Sequence, residues 1–170
     1  MATYKDVELL DGRTVRVYRS PTRRIVEIAE KQLPRPQAPM VKETLATGKE
    51  VTMRIEDDPQ YLADLAAWEK LINEKVDEVG ALFVLKDELP PEDWDVTAAV
   101  GEEVLYFDPD WKPREGKIGR RLDYLEWVIL GHSVDAMRIL NAQRELSGID
   151  LEGVAANEAS FRGEVEGETS

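Results

Sequence analysis

The segment that most constrains the fold is residues 118–161. Its apolar side chains recur at helical spacing and are interrupted by glycines, so the pattern predicts two packed helices followed by a short third one. Ser133 and Asp150 are polar residues placed to cap the second and third helices. No residue set in this segment is typical of a catalytic site. The first predicted helix runs from Ile118 to Leu130 and ends at Gly131, and the second begins at Ser133 and stops at Gly148. The third runs from Asp150 to about Phe161.

A second strong helix is predicted from Pro59 to Val79. Asp58 precedes the proline, and this pair is a typical helix start because the carboxylate accepts the unpaired N–H groups of the first turn. Whether the helix continues past Gly80 or gives way to a buried strand stays open, since short apolar runs suit both. One apolar stripe consists of Tyr61, Leu65, Trp68, Ile72, Val76 and Val79.

Two β-hairpins are predicted near the N-terminus. In the first, valines and leucines alternate on either side of Asp11-Gly12, a dipeptide that favours a type I′ turn. The second surrounds Thr47-Gly48, with strands at Val41 to Leu45 and at Val51, Met53 and Ile55. Together with the helices, they indicate an α+β, mainly α fold with a helical core and one or two N-terminal β-hairpins.

The connecting segments suggest how the chain is organised. Ser20 is the predicted N-cap and Pro21 the first residue of a helix that reaches about Gln32, and three prolines in residues 33–40 predict a stiff connector. Residues 86–115 predict loop with one short element, and the sequence shows no internal repeat. The predicted organisation is an N-terminal β-hairpin at 1–19, a mainly helical domain at 20–161 and a disordered acidic tail at 162–170.

Charge and composition narrow the function classes. A net charge of −13 opposes general nucleic-acid binding, because cationic contacts to phosphates supply most non-specific affinity. The chain has no cysteine, which excludes disulfides and thiolate chemistry and fits a reducing cytoplasm. No apolar run has the length of a membrane span, and residues 1–11 do not resemble a signal peptide. We therefore expect a folded protein with no membrane and no nucleic-acid partner.

One basic stretch contrasts with this acidic background. Residues 13–24 contain five arginines and no acid. The stretch could dock an acidic partner, and Arg19, Arg23 and Arg24 are the candidate binding residues within it. Solvation and local ion pairing are favoured, because exposed charge pairs contribute little energy.

Candidates for chemistry are few. His132 is the single histidine, and it lies in a predicted turn between helices with no nucleophile or carboxylate assigned to it. The acidic clusters at 56–58, 92–95 and 108–110 lack the ligand spacing of a calcium loop, and helix capping is the favoured role for those beside prolines. The sequence contains no GxSxG, GxxxxGK[ST], GxGxxG or HExxH motif. These patterns predict no cofactor, no metal and no enzyme activity.

Two tryptophans stand in polar segments that contain prolines. Trp94 and Trp111 would be anchors for a protein partner, since a tryptophan in a pocket often dominates an interface. A loop tryptophan that folds back onto the core is the commoner arrangement and is favoured. Trp68 and Trp127 lie on helical stripes and are predicted to be core contacts.

The order of several segments resembles small proteins encoded among the tail genes of long-tailed bacteriophages, many of which are treated as tail assembly chaperones. The resemblance implies a non-catalytic, mostly helical protein of the host cytoplasm. Such a protein binds the tape-measure protein, keeps it soluble and helps tail-tube subunits assemble around it. It implies no role for a particular residue. The segments, within residues 33–161, are PRPQAPMV, DDPQYLADLAAWE, PPEDWD, RRLDYLEWVIL and LSGIDLEGVAANEASF.

Other functions stay open on the sequence alone. A structural component of the virion tail or neck is the main alternative. A small enzyme or nucleic-acid modulator that uses the arginines of residues 13–24 is a third hypothesis. A homo-oligomer is also possible on the sequence, because the helices that begin at Pro59 and Ile118 are apolar enough to form either a core or an interface between copies.

Overall fold

The computed structural model describes residues 3–148 and confirms an α+β, mainly α fold. The predicted short helix from Asp150 and the predicted acidic tail lie outside these residues. The strands are β1 Tyr4–Glu8, β2 Thr14–Tyr18, β3 Met40–Thr44 and β4 Glu50–Arg54. The helices are α1 Thr22–Gln32, α2 Pro59–Val84, α3 Val96–Phe107, α4 Gly116–Tyr124 and α5 Ser133–Leu146, with a π-helical turn at Leu125–Ile129.

The chain divides into two compact units. A discontinuous unit combines the residues up to Ser20 with those from Ala81 onward, and a central unit comprises Pro21–Gly80. β1 and β2 pair antiparallel as hairpin 1 in the discontinuous unit, whereas β3 and β4 form hairpin 2 in the central unit. The N-terminal hairpin, predicted as a segment by itself, is therefore part of a larger unit.

The core of the discontinuous unit joins one face of hairpin 1 to helices from the other end of the chain. Val15 and Val17 are at most 1% exposed, and so are Leu125 and Ile129 of the π-helical turn. Burial of such side chains contributes roughly 1.5–3 kcal/mol each. The buried cluster consists of Val7, Leu9, Val15, Val17, Val84, Leu85, Tyr124, Leu125, Ile129, Ile139, Ala142 and Leu146.

The predicted type I′ turn of hairpin 1 is wrong. Such a turn needs positive φ at both central residues, but Gly12 has φ +84° and no residue other than glycine has positive φ among those that the structure describes. The N–H of Gly12 donates to the Leu9 carbonyl, and the N–H of Leu9 donates to the Arg13 carbonyl. The loop is a three-residue type I turn that ends in a glycine bulge.

Hairpin 2 has the same loop geometry and the same strand register as hairpin 1. Gly48, 36 positions after Gly12, has φ +78° and donates to the Leu45 carbonyl, while Leu45 donates to the Lys49 carbonyl. The strand register also matches, since Tyr4–Tyr18 and Met40–Arg54 are the outermost pairs. The sequence signal is short, so it is visible only once the strands are aligned: Leu9, Gly12, Arg13, Val15 and Val17 correspond to Leu45, Gly48, Lys49, Val51 and Met53.

Helix starts are confirmed in one case and corrected in another. The carboxylate of Asp58 accepts the N–H of Tyr61 at 2.8 Å, as predicted for the start of α2, and α2 continues through Gly80. At α1, Pro21 occupies the N-cap position and no side chain caps the helix, so the predicted cap by Ser20 is wrong. The helix depends on packing instead, through its buried residues Ile25 and Ala29.

The segment predicted as mostly loop contains a helix. Asp95 caps α3 by accepting the N–H of Thr97 at 3.0 Å. Gly101 interrupts it with φ +75°, so α3 consists of two short helical pieces. This interruption breaks the periodicity on which a sequence-based helix prediction depends.

The last two helices follow the prediction with two differences. The N–H of Leu130 bonds to the Leu125 carbonyl at 2.8 Å, so the predicted α-helix widens into a π-helical turn before Gly131. His132, rather than Ser133, is the N-cap of α5, because its Nδ1 accepts the N–H of Val134 at 3.3 Å. Gly148, with φ +76°, follows the end of α5 as predicted.

Candidate protein-binding surfaces

Hairpin 2 presents an uncovered sheet face. Nine of its ten strand residues are exposed, and the tenth, Val51, is half-buried. The register pairs Val41 with Met53, and Leu45 follows on the same side two positions beyond Glu43. We call Val41, Leu45, Val51 and Met53 the hairpin 2 apolar face. Leu45, Val51 and Met53 correspond in register to Leu9, Val15 and Val17, which are buried in hairpin 1. Val41 corresponds to the exposed Lys5, and Glu43, on the same side of hairpin 2, corresponds to the buried Val7.

A second exposed surface lies at the end of α3. Tyr106 is 81% exposed and Phe107 is 85% exposed, and their rings meet edge to face with centroids 5.2 Å apart. The neighbouring Leu105 is also exposed. Four acids flank these residues in the sequence: Glu102, Glu103, Asp108 and Asp110. We call Leu105, Tyr106 and Phe107 the aromatic patch.

Local structure explains why the aromatic patch faces solvent. Gly101 changes the chain direction inside α3, and only Val100 of this helix is buried. The N–H of Asp108 then bonds to the Val104 carbonyl, which closes the last turn. The patch therefore belongs to a helical piece with no buried residue of its own. The sequence predicts only loop with one short element in residues 86–115, which does not single out Tyr106 and Phe107.

Both candidate tryptophans fold back onto the discontinuous unit. The Trp94 ring packs edge to face on Tyr124 at 5.3 Å, and Trp111 packs edge to face on Trp127 at 6.0 Å. Trp94 and Trp111 are half-buried, and Trp94 adjoins the buried cluster. Their geometry matches the favoured core arrangement, and each leaves part of its ring in solvent.

Two consecutive arginines hold the segment that carries Trp94. The guanidinium of Arg120 donates to the carbonyls of Pro91, Glu92 and Trp94 at 2.6–3.1 Å. Arg121 donates to three carbonyls at and beyond the end of α2, namely those of Leu82, Leu85 and Glu88. These bonds engage carbonyl groups at a helix end and in a loop, where those of Leu85 and Pro91 also accept a backbone N–H. Trp94 is thus positioned by α4.

Most arginines of the basic stretch form ion pairs with acids that lie just outside it. Arg23 and Arg24 both bond to Glu27 in α1, at 3.0 and 3.3 Å. Arg13 pairs with Asp11, and Arg16 pairs with Asp6 across hairpin 1. The backbone N–H of Arg19 donates to the Thr3 carbonyl at 3.0 Å, which extends the hairpin. Local pairing, the favoured role, is observed for Arg13, Arg16, Arg23 and Arg24, and the side chain of Arg23 remains 95% exposed.

Hydrogen bonds and burial shift the pKa values of three groups in the discontinuous unit. The Arg13 backbone and guanidinium hold the pKa of Asp11 below its usual value. The bond that Tyr18 donates to Asp87 at 2.6 Å raises the pKa of Tyr18. Burial raises the pKa of Glu88. These shifts belong to structural contacts of hairpin 1 and the α2 end, and they do not converge on one reactive centre.

Cavities in the structure have mixed linings. One, of about 380 Å³ in the central unit, is lined by Arg35, Arg54, Glu56 and Tyr61 among others. Its charges have both signs, so the lining selects no single ligand chemistry.

Among residues 3–148, no three histidine, aspartate or glutamate side chains are close enough to hold a metal ion. In the same range, no helix has both the length and the apolar character needed to cross a membrane.

Large apolar side chains are presented on the hairpin 2 apolar face and on the aromatic patch, and contiguous exposed apolar groups commonly mark protein-binding sites. The chain matches no family model, and comparison with curated proteins and with solved structures gives no match either.

Proposed function

We propose that this chain is a non-catalytic protein of phage tail assembly, a chaperone that binds the tape-measure protein in the host cytoplasm. Two things support the proposal. The order of sequence segments within residues 33–161 resembles tail assembly chaperones, and the described chain presents large apolar side chains to solvent. The net charge of −13 would keep a complex with an aggregation-prone client dispersed.

The aromatic patch is the observation that carries the proposal. Tyr106 and Phe107 are more than four-fifths exposed, although such side chains are usually buried. Aromatic side chains are enriched among the residues that dominate protein interfaces. The four flanking acids favour a client segment with basic residues around an apolar centre. The function so proposed needs no cofactor and no nucleic acid.

Co-expression with the tape-measure protein from the same genome tests this function. We expect the chain to raise the soluble fraction of the tape-measure protein and to elute with it from a sizing column. The double variant Tyr106→Ser with Phe107→Ser should fold normally and lose this effect. Leu89→Ser is the matched control, because Leu89 is 61% exposed but lies outside the aromatic patch. Its rescue should equal that of the wild type.

Two outcomes would count against the proposal. The absence of both solubilisation and a complex would exclude a chaperone of this client. Stoichiometric amounts of the chain in purified virions would support the alternative, a structural component of the tail or neck. A tail assembly chaperone should be missing from the finished particle.

A further inference from the structure

The two hairpins of this chain have the same loop geometry and the same strand register, but only hairpin 1 has its apolar face covered by residues that the structure describes. Helix α5 covers hairpin 1 with Ile139, Ala142 and Leu146, which are at most 7% exposed. These residues follow the three- and four-residue spacing of one helix face. The protein thus contains its own example of what packs on a hairpin of this kind.

Polar contacts fix the position of α5 on hairpin 1. Asp135 accepts the N–H of Leu10 at 2.9 Å, and the Arg138 guanidinium donates to the Glu8 carbonyl at 2.8 Å. Lys5 forms an ion pair with Glu145 near the far end of the helix. Two of these three contacts use the backbone of the hairpin. A helix with the same pattern could therefore recognise another hairpin of this shape whatever its side chains.

Hairpin 2 offers the equivalent backbone groups. With the offset of 36, Thr44 corresponds to Glu8, Ala46 corresponds to Leu10 and Lys49 corresponds to Arg13. In hairpin 1, Arg13 donates to the Val128 carbonyl at 3.4 Å, near the end of the π-helical turn. Lys49, at the equivalent position of hairpin 2, could donate to a backbone carbonyl of a partner in the same way. Residues 40–54 also hold three cations against two acids, in a chain whose net charge is −13. Glu43 lies on the side of the hairpin 2 apolar face, so Lys49 beside the loop is the cation that favours acceptor groups on a partner.

The uncovered state of hairpin 2 is physically unfavourable. An isolated two-stranded hairpin is marginally stable in water unless it packs against another element. The hairpin 2 apolar face exposes Val41, Leu45 and Met53 to between 44% and 47%. A partner that buried them would gain roughly 25 cal/mol for each Å² of apolar surface removed from water. Binding would stabilise the hairpin and the complex together.

We infer that the hairpin 2 apolar face binds one amphipathic helix of a protein partner, in the way that α5 packs on hairpin 1. The partner helix carries aliphatic side chains at positions i, i+3 and i+7. It has an acid four residues before the first of them, to accept the N–H of Ala46. The inference deepens the proposed function and rests on it for the identity of the partner, because it adds a second surface and states the class of client segment.

A peptide of this chain, residues 133–147, is the probe, because it is the helix known to fit such a hairpin. The labelled peptide is titrated with the full chain and its fluorescence anisotropy is measured. We expect saturable binding that Met53→Lys weakens by about tenfold or more, since a buried apolar contact of about 1.4 kcal/mol is lost. Thr52→Lys is the matched control on the opposite side of β4, and it should leave the affinity unchanged. A peptide with Ile139→Asp and Leu146→Asp should not bind.

Hydrogen exchange locates the bound peptide. Protection should appear at the amides of β3 and β4, with no change in β1, β2 or α5. Absence of binding, or equal binding by Met53→Lys and Thr52→Lys, would overturn the inference. Faster exchange in hairpin 1 would also overturn it, because the peptide would then be replacing α5. Self-association of the chain that Met53→Lys abolishes would assign the face to a second copy instead.

The peptide titration and the co-expression test fail independently. If the wild-type chain solubilises the tape-measure protein and Met53→Lys does so equally well, the proposed function stands and the inference about hairpin 2 falls. If neither chain solubilises it while the peptide still binds hairpin 2, the surface is real and its client is a different protein.

Discussion

Asp135 in the first turn of α5 accepts a hydrogen bond at 2.9 Å from the N–H of Leu10, which lies 125 positions earlier in the chain. The carboxylate is buried and the N–H belongs to the loop of hairpin 1. This bond sets where the helix begins on the hairpin, and Ile139 and Ala142 then follow into the core. A single side chain thus links the start of the discontinuous unit to its last helix.

Removal of this carboxylate should destabilise the discontinuous unit. We expect Asp135→Ala to lower the free energy of unfolding by about 1.5–3 kcal/mol, the usual contribution of a hydrogen bond to a charged group. Asp135→Asn keeps an oxygen acceptor and should lose less. Urea unfolding monitored by tryptophan fluorescence measures both. An alanine variant as stable as the wild type would show that the bond is dispensable.

The two acids that bind Arg114 should differ in their contributions. Both accept from its guanidinium at 2.6 Å, but the side chain of Asp123 is 1% exposed and that of Glu126 is 52% exposed. Loss of a buried partner is more costly than loss of a solvated one. We expect Asp123→Ala to cost about 3 kcal/mol and Glu126→Ala less than about 1 kcal/mol in denaturant unfolding. Equal losses would contradict this assignment.

Two glycines in helical surroundings should respond oppositely to alanine. A Cβ at Gly131 would lie 2.5 Å from the Trp127 carbonyl oxygen, whereas a Cβ at Gly80 would meet no atom within 4 Å. Gly131→Ala must therefore displace backbone, and we expect a lower melting temperature. Gly80→Ala should stabilise α2 by about 0.5–1 kcal/mol, since alanine favours the helix. Thermal unfolding by circular dichroism compares the two, and a stabilising Gly131→Ala would refute the clash.

Lowering the pH should destabilise the N-terminal turn of α3. The hydroxyl and the backbone N–H of Thr97 donate to Asp95 and hold the pKa of that carboxyl below its usual value of 3.8. The folded state thus binds this proton less readily than the unfolded state. The stabilisation is present above the unfolded pKa and is lost as the pH falls through the lower folded pKa.

Carbon-detected NMR titration of Asp95 measures this shift. The midpoint should lie below 3.8 in the wild type and move upward in Thr97→Val, which removes the hydroxyl donor. A midpoint that Thr97→Val leaves in place would assign the shift to another cause. Asp95→Asn should remove the acid-dependent loss of helical signal in α3.

Elements with several turns of regular pattern could be predicted from the sequence. The α2 stripe and the Asp58 cap are local signals, and they give the correct start of the helix. The π-helical turn and the cap by His132 depend on a single hydrogen bond each, which no periodicity encodes. For α3, Gly101 divides the helix into pieces too short for a recognisable stripe.

The candidate surfaces were harder to predict, because exposure depends on what the rest of the chain covers. Val15 and Val51 have the same residue type, the same register position and the same loop, yet Val15 is 1% exposed and Val51 is half-buried. Val15 belongs to a buried cluster with residues of α5 and of other segments from the second half of the unit, whereas hairpin 2 has no such cover among the residues that the structure describes. Similarly, Trp94 and Tyr106 both follow acidic segments, and only tertiary packing places the first ring on Tyr124 and the second in solvent.

The distance along the chain between hairpin 1 and α5 has a consequence during synthesis. Hairpin 1 is complete at Tyr18, whereas the helix that covers it ends at Leu146, so a ribosome must make most of the chain before the two meet. Until then hairpin 1 lacks the helix that covers it, and a two-stranded sheet is only marginally stable by itself. A product that terminates before Ser133 would lack α5, so its first hairpin should stay uncovered and available for pairing with another chain.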